Sequence, residues 1–305
     1  MPFSRLVDEF VQDKGLTQGF AETAERYYLP LLALLNKSKQ AEPLLIGING
    51  AQGSGKSTLA EFLAYAASEL FEWQVTCLSL DDIYHTKAER QRLAREIHPL
   101  LVTRGVPGTH DLELGETILK GLVDLTSGDS ILVPRFNKAV DDQYPSKNWD
   151  KVTGKQDLII FEGWCLGCLP QEPREISRPL NELEKTADED CRWRNYVNTS
   201  IEEYQSRLWS RLHMLVMLKV PSFEQVFIWR SEQEQKLVES LGHSTELSDP
   251  AKMKYFISHY ERLTRHMLDN LPKRAEVVMR LNENHQVYSV EPDLPTIEIP
   301  LMAQE

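Results

Sequence analysis

The stretch Gly50-Ala51-Gln52-Gly53-Ser54-Gly55-Lys56-Ser57 limits what this chain can fold into. It fits G-x-x-x-x-G-K-[ST], a phosphate-binding loop, which works only between a strand and a helix. Both flanks are legible. Leu44-Leu45-Ile46-Gly47-Ile48-Asn49 is a short apolar run of the kind a buried parallel strand shows. Beyond the loop, Leu59, Phe62 and Leu63 recur at helical spacing. Glycines let the backbone wrap closely around phosphates. Exposed amides and a helix N-terminus favour negative charge there. Lys56 is placed to reach the β- and γ-phosphates of a nucleotide, and Ser57, followed by Thr58, to hold Mg²⁺.

Other apolar runs alternate with helical patterns, which predicts an α/β fold: a parallel sheet sandwiched by helices, with inserted loops and a lid helix. Trp73 to Leu80 reads as a second strand ending in Asp81-Asp82-Ile83-Tyr84, and Lys87 to Leu100 as a helix. Ligands of open α/β sheets sit beyond the carboxyl ends of strands, so this acidic pair is a candidate for chemistry. On an extended strand the two carboxylates face opposite ways, and spacing alone does not choose between them. Arg104-Gly105-Val106-Pro107-Gly108-Thr109-His110-Asp111 reads as a loop carrying a cation, a histidine and a carboxylate. Leu114 to Leu125 reads as an amphipathic helix. Ile131 to Lys138 reads as a strand entering a polar loop that runs to about Lys155. Asp157 to Gly163 is a strong strand; its apolar residues followed by Glu162 resemble a Walker B pattern, where an acid lies near Mg²⁺.

Further on, Leu169 to Pro179 reads as a loop and Leu180 to Cys191 as an acidic, solvated helix. Val197 to Leu208 is helical, Met214 to Val220 a strand and Phe223 to Leu241 a long charged helix. Ala251 to Leu271 is helical again, and Glu276 to Leu281 is the last strand. Residues 1–40 read as an N-terminal helical extension docked on a kinase-type domain of residues 41–305, with Pro30 breaking or kinking the helix. The formal net charge of -12 makes the chain a poor candidate for nonspecific nucleic-acid binding, which is driven by phosphate neutralisation. Cys165-Leu166-Gly167-Cys168 is a lone C-x-x-C, without the second pair of ligands a zinc site needs. Met1 to Lys14 lacks an apolar signal core and no run approaches the roughly 20 residues of a membrane span. A cytoplasmic protein, favoured as a monomer with no nucleic-acid or membrane partner, is the expectation.

A GTPase would need N-K-x-D late in the chain. Asn36-Lys37-Ser38-Lys39 precedes the loop, and Asn137-Lys138-Ala139-Val140 lacks the Asp. A small-molecule kinase needs an acid to take the acceptor's proton, which Asp81 or Asp82 supplies. With the phosphate loop, Leu80 to Tyr84 and Phe161-Glu162-Gly163, the chain resembles the uridine kinase, phosphoribulokinase and pantothenate kinase superfamily. More closely it resembles the plant-type D-glycerate 3-kinase subfamily. Arg104-Gly105 with His110-Asp111-Leu112, Val133-Pro134-Arg135, Phe161-Glu162-Gly163-Trp164 with Leu166-Gly167, Val197-Asn198, Trp229-Arg230 and Ser248-Asp249 carry that match.

The resemblance implies ATP and Mg²⁺ as cofactors and Asp81 as the base. Lys56 and the residues from Gly50 to Thr58 would hold the phosphates, and Ser57 and Glu162 would serve the metal. Arg230 would come from a lid helix. Asp82, Tyr84, Arg104, His110, Asp111, Arg135 and Lys138 would surround a small, anionic acceptor, with D-glycerate first. Arg135-Phe136-Asn137-Lys138 departs from the subfamily's usual Arg-Tyr-Asp-Lys, and Val106-Pro107 departs from its usual small or polar residues. A nucleoside or pantothenate kinase, and an ATP-binding regulatory protein without an acceptor, stay open.

Overall fold

A computed structural model describes residues 3–296; residues 1–2 of the expected extension and 297–305 of the expected main domain lie outside the described residues. The N-terminal segment forms α1 (Ser4–Lys14), α2 (Gln18–Thr23) and α3 (Leu29–Ser38). The break expected at Pro30 takes the form of a π-helical turn over Ala24–Tyr28. Pro30 itself stands in the first turn of α3, where a missing N–H costs least.

Next come β1 (Leu44–Gly50) and α4 (Lys56–Phe71), the strand and helix on either side of the glycine loop. Phe10, Phe20 and Tyr28 pack their rings around Phe62, at 5.3, 5.8 and 6.0 Å, so the extension is docked on α4. Then follow β2 (Val75–Ser79), α5 (Lys87–Glu96) and α6 (Leu112–Asp124). β3 (Ser130–Val133), β4 (Phe136–Asn137), β5 (Asp142–Gln143) and β6 (Asp150–Thr153) lie in the segment expected to be a strand and a polar loop. They pair as two small antiparallel sheets, β3 with β6 and β4 with β5. β7 (Leu158–Gly163), α7 (Pro173–Ile176), α8 (Glu182–Ala187), α9 (Arg192–Arg207) and β8 (Met214–Lys219) come next. The chain continues through α10 (Phe223–Leu241), α11 (Pro250–Asn270), β9 (Val277–Leu281) and β10 (Val287–Glu291). β10, absent from the sequence expectation, turns back antiparallel on β9.

The main sheet runs β10-β9-β8-β1-β7-β2, and every pairing but β10–β9 is parallel. Side chains alternate across a strand, and here both faces are covered. Leu44, Ile46 and Ile48 join α4 and the N-terminal helices on one face. Leu45, Ile159, Phe161 and Met217 join α6, α9 and α11 on the other. Register does the positioning. Ile48 stands beside Glu162, which stands beside Ser79, so the ends of β1, β7 and β2 open at one level. No helix of the described residues is long and apolar enough to cross a membrane.

One expectation about charge is corrected. The acidic segment 180–191 is solvated only in part: Glu182, Glu189 and Asp190 are exposed, whereas Glu184 and Asp188 are 0% and 1% exposed. Glu184 accepts from Arg262 through Nε at 2.7 Å and Nη2 at 2.6 Å, and Asp188 lies 2.8 Å from Arg194 Nε. Buried carboxylates need such partners, and these ion pairs fasten α8 to α9 and α11.

Candidate active site

The chain leaves β1 at Gly50 and winds into α4. Gly53 and Gly55 take φ of 77° and 86°, the left-handed region where a Cβ is strained. A side chain at Gly53 would also meet Trp229 Cβ at 2.9 Å. Trp229 is held in turn: its Nε1 donates to the Glu283 carbonyl at 3.0 Å and its ring stacks on His285 at 4.0 Å. Within the loop, Ser54 N–H donates to the Ala51 carbonyl at 3.1 Å. Ser54 Oγ and Gln52 Oε1 are buried without hydrogen-bond partners.

The first turn of α4 brings two side chains to the end of β7. Ser57 Oγ donates to Glu162 Oε1 at 3.0 Å, and Lys56 Nζ lies 3.7 Å from Glu162 Oε2. Glu162 is 6% exposed, and its Oε2 has no hydrogen-bond partner. A hydroxyl and a buried carboxylate with a spare oxygen are the hard donors that suit Mg²⁺.

Beyond β2 the chain does not continue as a strand to Leu80. Leu80–Ile83 forms a 3₁₀ turn whose cap is Ser79, accepting from Asp81 N–H at 3.2 Å. The two aspartates are therefore separated by a tight turn rather than by strand alternation. Asp82 is tied into the scaffold. Its Oδ2 accepts from Arg135 Nη1 at 2.7 Å and Ser79 N–H at 3.3 Å, and its Oδ1 from Phe136 N–H at 3.3 Å. Burial still keeps its carboxyl above the ordinary value, which Arg135 and the Phe136 amide only partly offset.

Asp81 has different partners. The Tyr84 hydroxyl donates to Oδ1 at 2.7 Å and Lys138 Nζ to Oδ2 at 2.6 Å. Burial pushes its carboxyl up, but Lys138, then Lys56 and the Tyr84 hydroxyl, outweigh that and hold it below the usual carboxylate range. Tyr84 is 3% exposed, stacked on His110 at 4.5 Å with Phe136 edge-on at 5.2 Å.

The 104–111 loop closes over this group from α9 and α11. Trp164 Nε1 donates to the Gly105 carbonyl at 2.8 Å, and the Tyr260 hydroxyl to the Arg104 carbonyl at 2.9 Å. Gly105 has φ of 129°, and a Cβ there would collide with Tyr260. Arg104 pairs with Asp141 and lies 5.6 Å over the Phe136 ring.

Three sequence expectations change here. His110 is not a cation: it is 2% exposed, and burial lowers its ring to about 3. Its Nδ1 meets the Tyr204 hydroxyl at 2.6 Å, and its Nε2 is a buried nitrogen without a partner. Asp111 caps α6, accepting from Leu114 N–H at 2.9 Å, so its carboxylate serves the helix terminus. Arg230 pairs within α10 with the buried Glu234 at 2.8 Å, so its charge is engaged along its own helix, next to the Trp229 that is fixed against Gly53. Tyr204, Tyr260, Asp141 and His285 were not singled out from sequence. The glycines at 105 and 108, both left-handed, were the available signal for close packing.

Two other groups carry metal-ligand residue types. Cys165 and Cys168 are buried free thiols, and burial pushes both above the ordinary value. His98, Asp188 and Asp190 bring ligand atoms within 4.8 Å of one another. There, however, His98 Nδ1 accepts from Leu100 N–H, and the Asp188 oxygens accept from Trp193 and Arg194 N–H. That leaves the His98 proton on Nε2, where a metal would need the lone pair.

No family model matches the chain. It is 31% identical over 245 residues to a protein of Schizosaccharomyces pombe named uncharacterized kinase mug58, covering 75% of this chain and 83% of that one. It is 33% identical over 228 residues to the chloroplastic D-glycerate 3-kinase of Arabidopsis thaliana, covering 68% of this chain and 47% of that protein, so it spans about half of that relative. Among solved structures, D-glycerate 3-kinase from Cryptococcus neoformans shares the fold. The TM-score is 0.68 at 22% identity, over 87% of this chain and 96% of that one.

Proposed function

The chain belongs to the P-loop kinase family that includes D-glycerate 3-kinase, and on that premise we propose that it transfers the γ-phosphoryl group of ATP to a hydroxyl of a small anionic hydroxy acid. One observation carries the reading: Asp81 stands beyond β2 at the level where Lys56, Ser57 and Glu162 meet, with Lys138 and Tyr84 on its carboxylate. In this reading Lys56 and the amides of Gly50 to Thr58 hold the triphosphate. Ser57 Oγ and Glu162 would hold Mg²⁺, which would supply charge neutralisation on the phosphate oxygens. Asp81 takes the proton of the acceptor hydroxyl as that oxygen attacks the γ-phosphorus. Asp82, tied to Arg135 and backbone amides, holds the turn that presents Asp81.

The acceptor wall comprises Tyr84, Arg104, Lys138 and the unpartnered Nε2 of His110. Arg135 supports it through Asp82 and Asp150. D-glycerate is our first choice of acceptor. The name of the Arabidopsis relative supports it, and so does the placing of cations in a chain whose net charge is -12, which would otherwise repel an anion. In the same proposal residues 41–305 form the catalytic unit and residues 1–40 brace α4 behind the phosphate loop.

The test is steady-state ADP release with D-glycerate, uridine and pantothenate in parallel, using wild type and Lys56→Ala. Turnover with D-glycerate that Lys56→Ala abolishes supports the reading. Efficient phosphorylation of uridine or pantothenate instead would move the acceptor and keep the kinase. ATP binding with no acceptor that raises turnover would mean a regulatory nucleotide-binding protein.

A further inference from the structure

Four basic residues stand around the acceptor side, and three are committed elsewhere. Arg104 is paired with Asp141, Arg135 bridges Asp82 and Asp150, and His110 is buried and uncharged. The fourth, Lys138, has Asp81 as its partner. The cation best able to meet an anionic acceptor is therefore the one resting on the base.

The two partners of Asp81 differ in freedom. Tyr84 is locked between His110 and Phe136 and is 3% exposed. The Lys138 side chain is 61% exposed and stands between the two-residue strands β4 and β5, on a flexible four-carbon stem. A charge-assisted hydrogen bond from an ammonium neutralises a carboxylate and makes it a poor proton acceptor.

We infer that Lys138 is a specificity latch on Asp81: it masks the carboxylate until an anionic acceptor draws the ammonium onto itself. A carboxylate on the acceptor offers Lys138 a replacement partner of the same chemistry, and a neutral acceptor offers none. The base is thus unmasked only beside a substrate of the right charge. The inference rests on the reading of Asp81 as the base.

The latch also suppresses a side reaction. An unmasked Asp81 beside bound ATP could take a proton from water while the water oxygen bonds to the γ-phosphorus. The bond from that phosphorus to the β–γ bridging oxygen breaks, and ADP leaves with the electron pair, giving ADP and inorganic phosphate.

The experiment uses the full chain with ATP and Mg²⁺ and compares wild type, Lys138→Met, Lys138→Arg, Asp81→Asn and the double variant Asp81→Asn/Lys138→Met. Without acceptor, Lys138→Met should raise ATP hydrolysis on the order of tenfold, a fraction of the full effect of a general base. The double variant should lose the rise, and Lys138→Arg, which keeps a cation on Asp81, should raise hydrolysis less than Lys138→Met. With D-glycerate and its uncharged amide as paired acceptors, wild type should favour the acid in kcat/KM, and Lys138→Met should lose that preference. Hydrolysis unchanged or lowered in Lys138→Met overturns the latch, as does a rise that persists in the double variant. The parent reading fails separately: Asp81→Asn alone would then transfer phosphoryl groups at the wild-type rate. The hydrolysis arm decides the latch even if D-glycerate is not a substrate.

Discussion

Asp81 and Asp82 are adjacent in the chain and held from opposite ends of one strand: Lys138, after β4, reaches the first, and Arg135, before it, reaches the second. The 3₁₀ turn after β2 produces this division by rotating the two side chains apart. Asp82 takes backbone donors from both Ser79 and Phe136, whereas the carboxylate of Asp81 takes side-chain donors, one of them exposed.

The two amide substitutions should therefore separate. Asp81→Asn should fold, bind ATP and lose turnover by about 10²–10⁴-fold, the usual cost of removing a general base. Asp82→Asn should act chiefly through stability, lowering the unfolding midpoint while leaving kcat within a few-fold. Measuring both kcat and urea midpoints for the pair decides it; the reverse pattern would exchange their roles.

Gly53 gives a second prediction. It has φ of 77°, and a Cβ there would sit 2.9 Å from Trp229 Cβ, which is backbone-proximal and cannot swing away. Gly53→Ala should raise the Kd for ATP more than tenfold, because loop and α10 cannot both keep their places. Trp229→Leu in the same background keeps that Cβ and should recover none of the loss, read by equilibrium nucleotide binding. Equal Kd values for wild type and Gly53→Ala would mean that the contact does not position the loop.

The buried charge cluster gives a third. Glu184 accepts from Arg262 and from Leu180 N–H at 2.6 Å, with Arg194 Nη1 at 3.4 Å. Glu184→Gln removes one negative charge and leaves the Arg262 guanidinium without its carboxylate, while Arg194 keeps Asp188. Breaking one partner of a buried pair costs about 3–5 kcal/mol, so the urea midpoint should fall sharply. A Glu184→Gln variant as stable as wild type would show that water reaches this cluster.

Legibility followed locality. β1, β7 and β8 were readable because both faces are buried, which writes continuous apolar runs into the sequence. α10 was readable end to end, with Ser222 capping it and Gly242 closing it in the left-handed conformation. The phosphate loop, with Lys56, Ser57 and its flanking strand and helix, was legible as one motif. The two-residue β4 and β5 were not, because tertiary pairing rather than a local pattern creates them. Nor was the burial of Glu184, whose partner Arg262 is 78 residues away. The same distance problem hid the Lys138–Asp81 contact, 57 residues apart, and the packing of His110 against Tyr204.

Acid stability should be set first by histidines. Burial lowers His110 to about 3 and His259 to about 4 from the ordinary 6.5, and it shifts His85, His98, His266 and His285 in the same direction. In the unfolded chain these rings titrate near 6.5. As pH falls below about 6.5 the unfolded state binds protons that the folded state refuses, so folding loses stability. The contribution is complete above that pH and is lost as pH drops through the folded values, about 4 for His259 and about 3 for His110. Each fully shifted ring adds a slope of up to about 1.4 kcal/mol per pH unit. Carboxylates with lowered values, Asp81 among them, lose their contribution only at lower pH, so the window from about 6.5 to 4.5 belongs to the histidines. His259 is the cleanest probe. It lies outside the candidate site, and its Nδ1 faces the Tyr255 and Phe256 carbonyls at 3.0 and 3.2 Å. Urea midpoints across that window should fall steadily in wild type and less steeply in His259→Gln. Parallel slopes for the two proteins would mean that His259 binds its proton in the folded state and that burial does not hold it neutral.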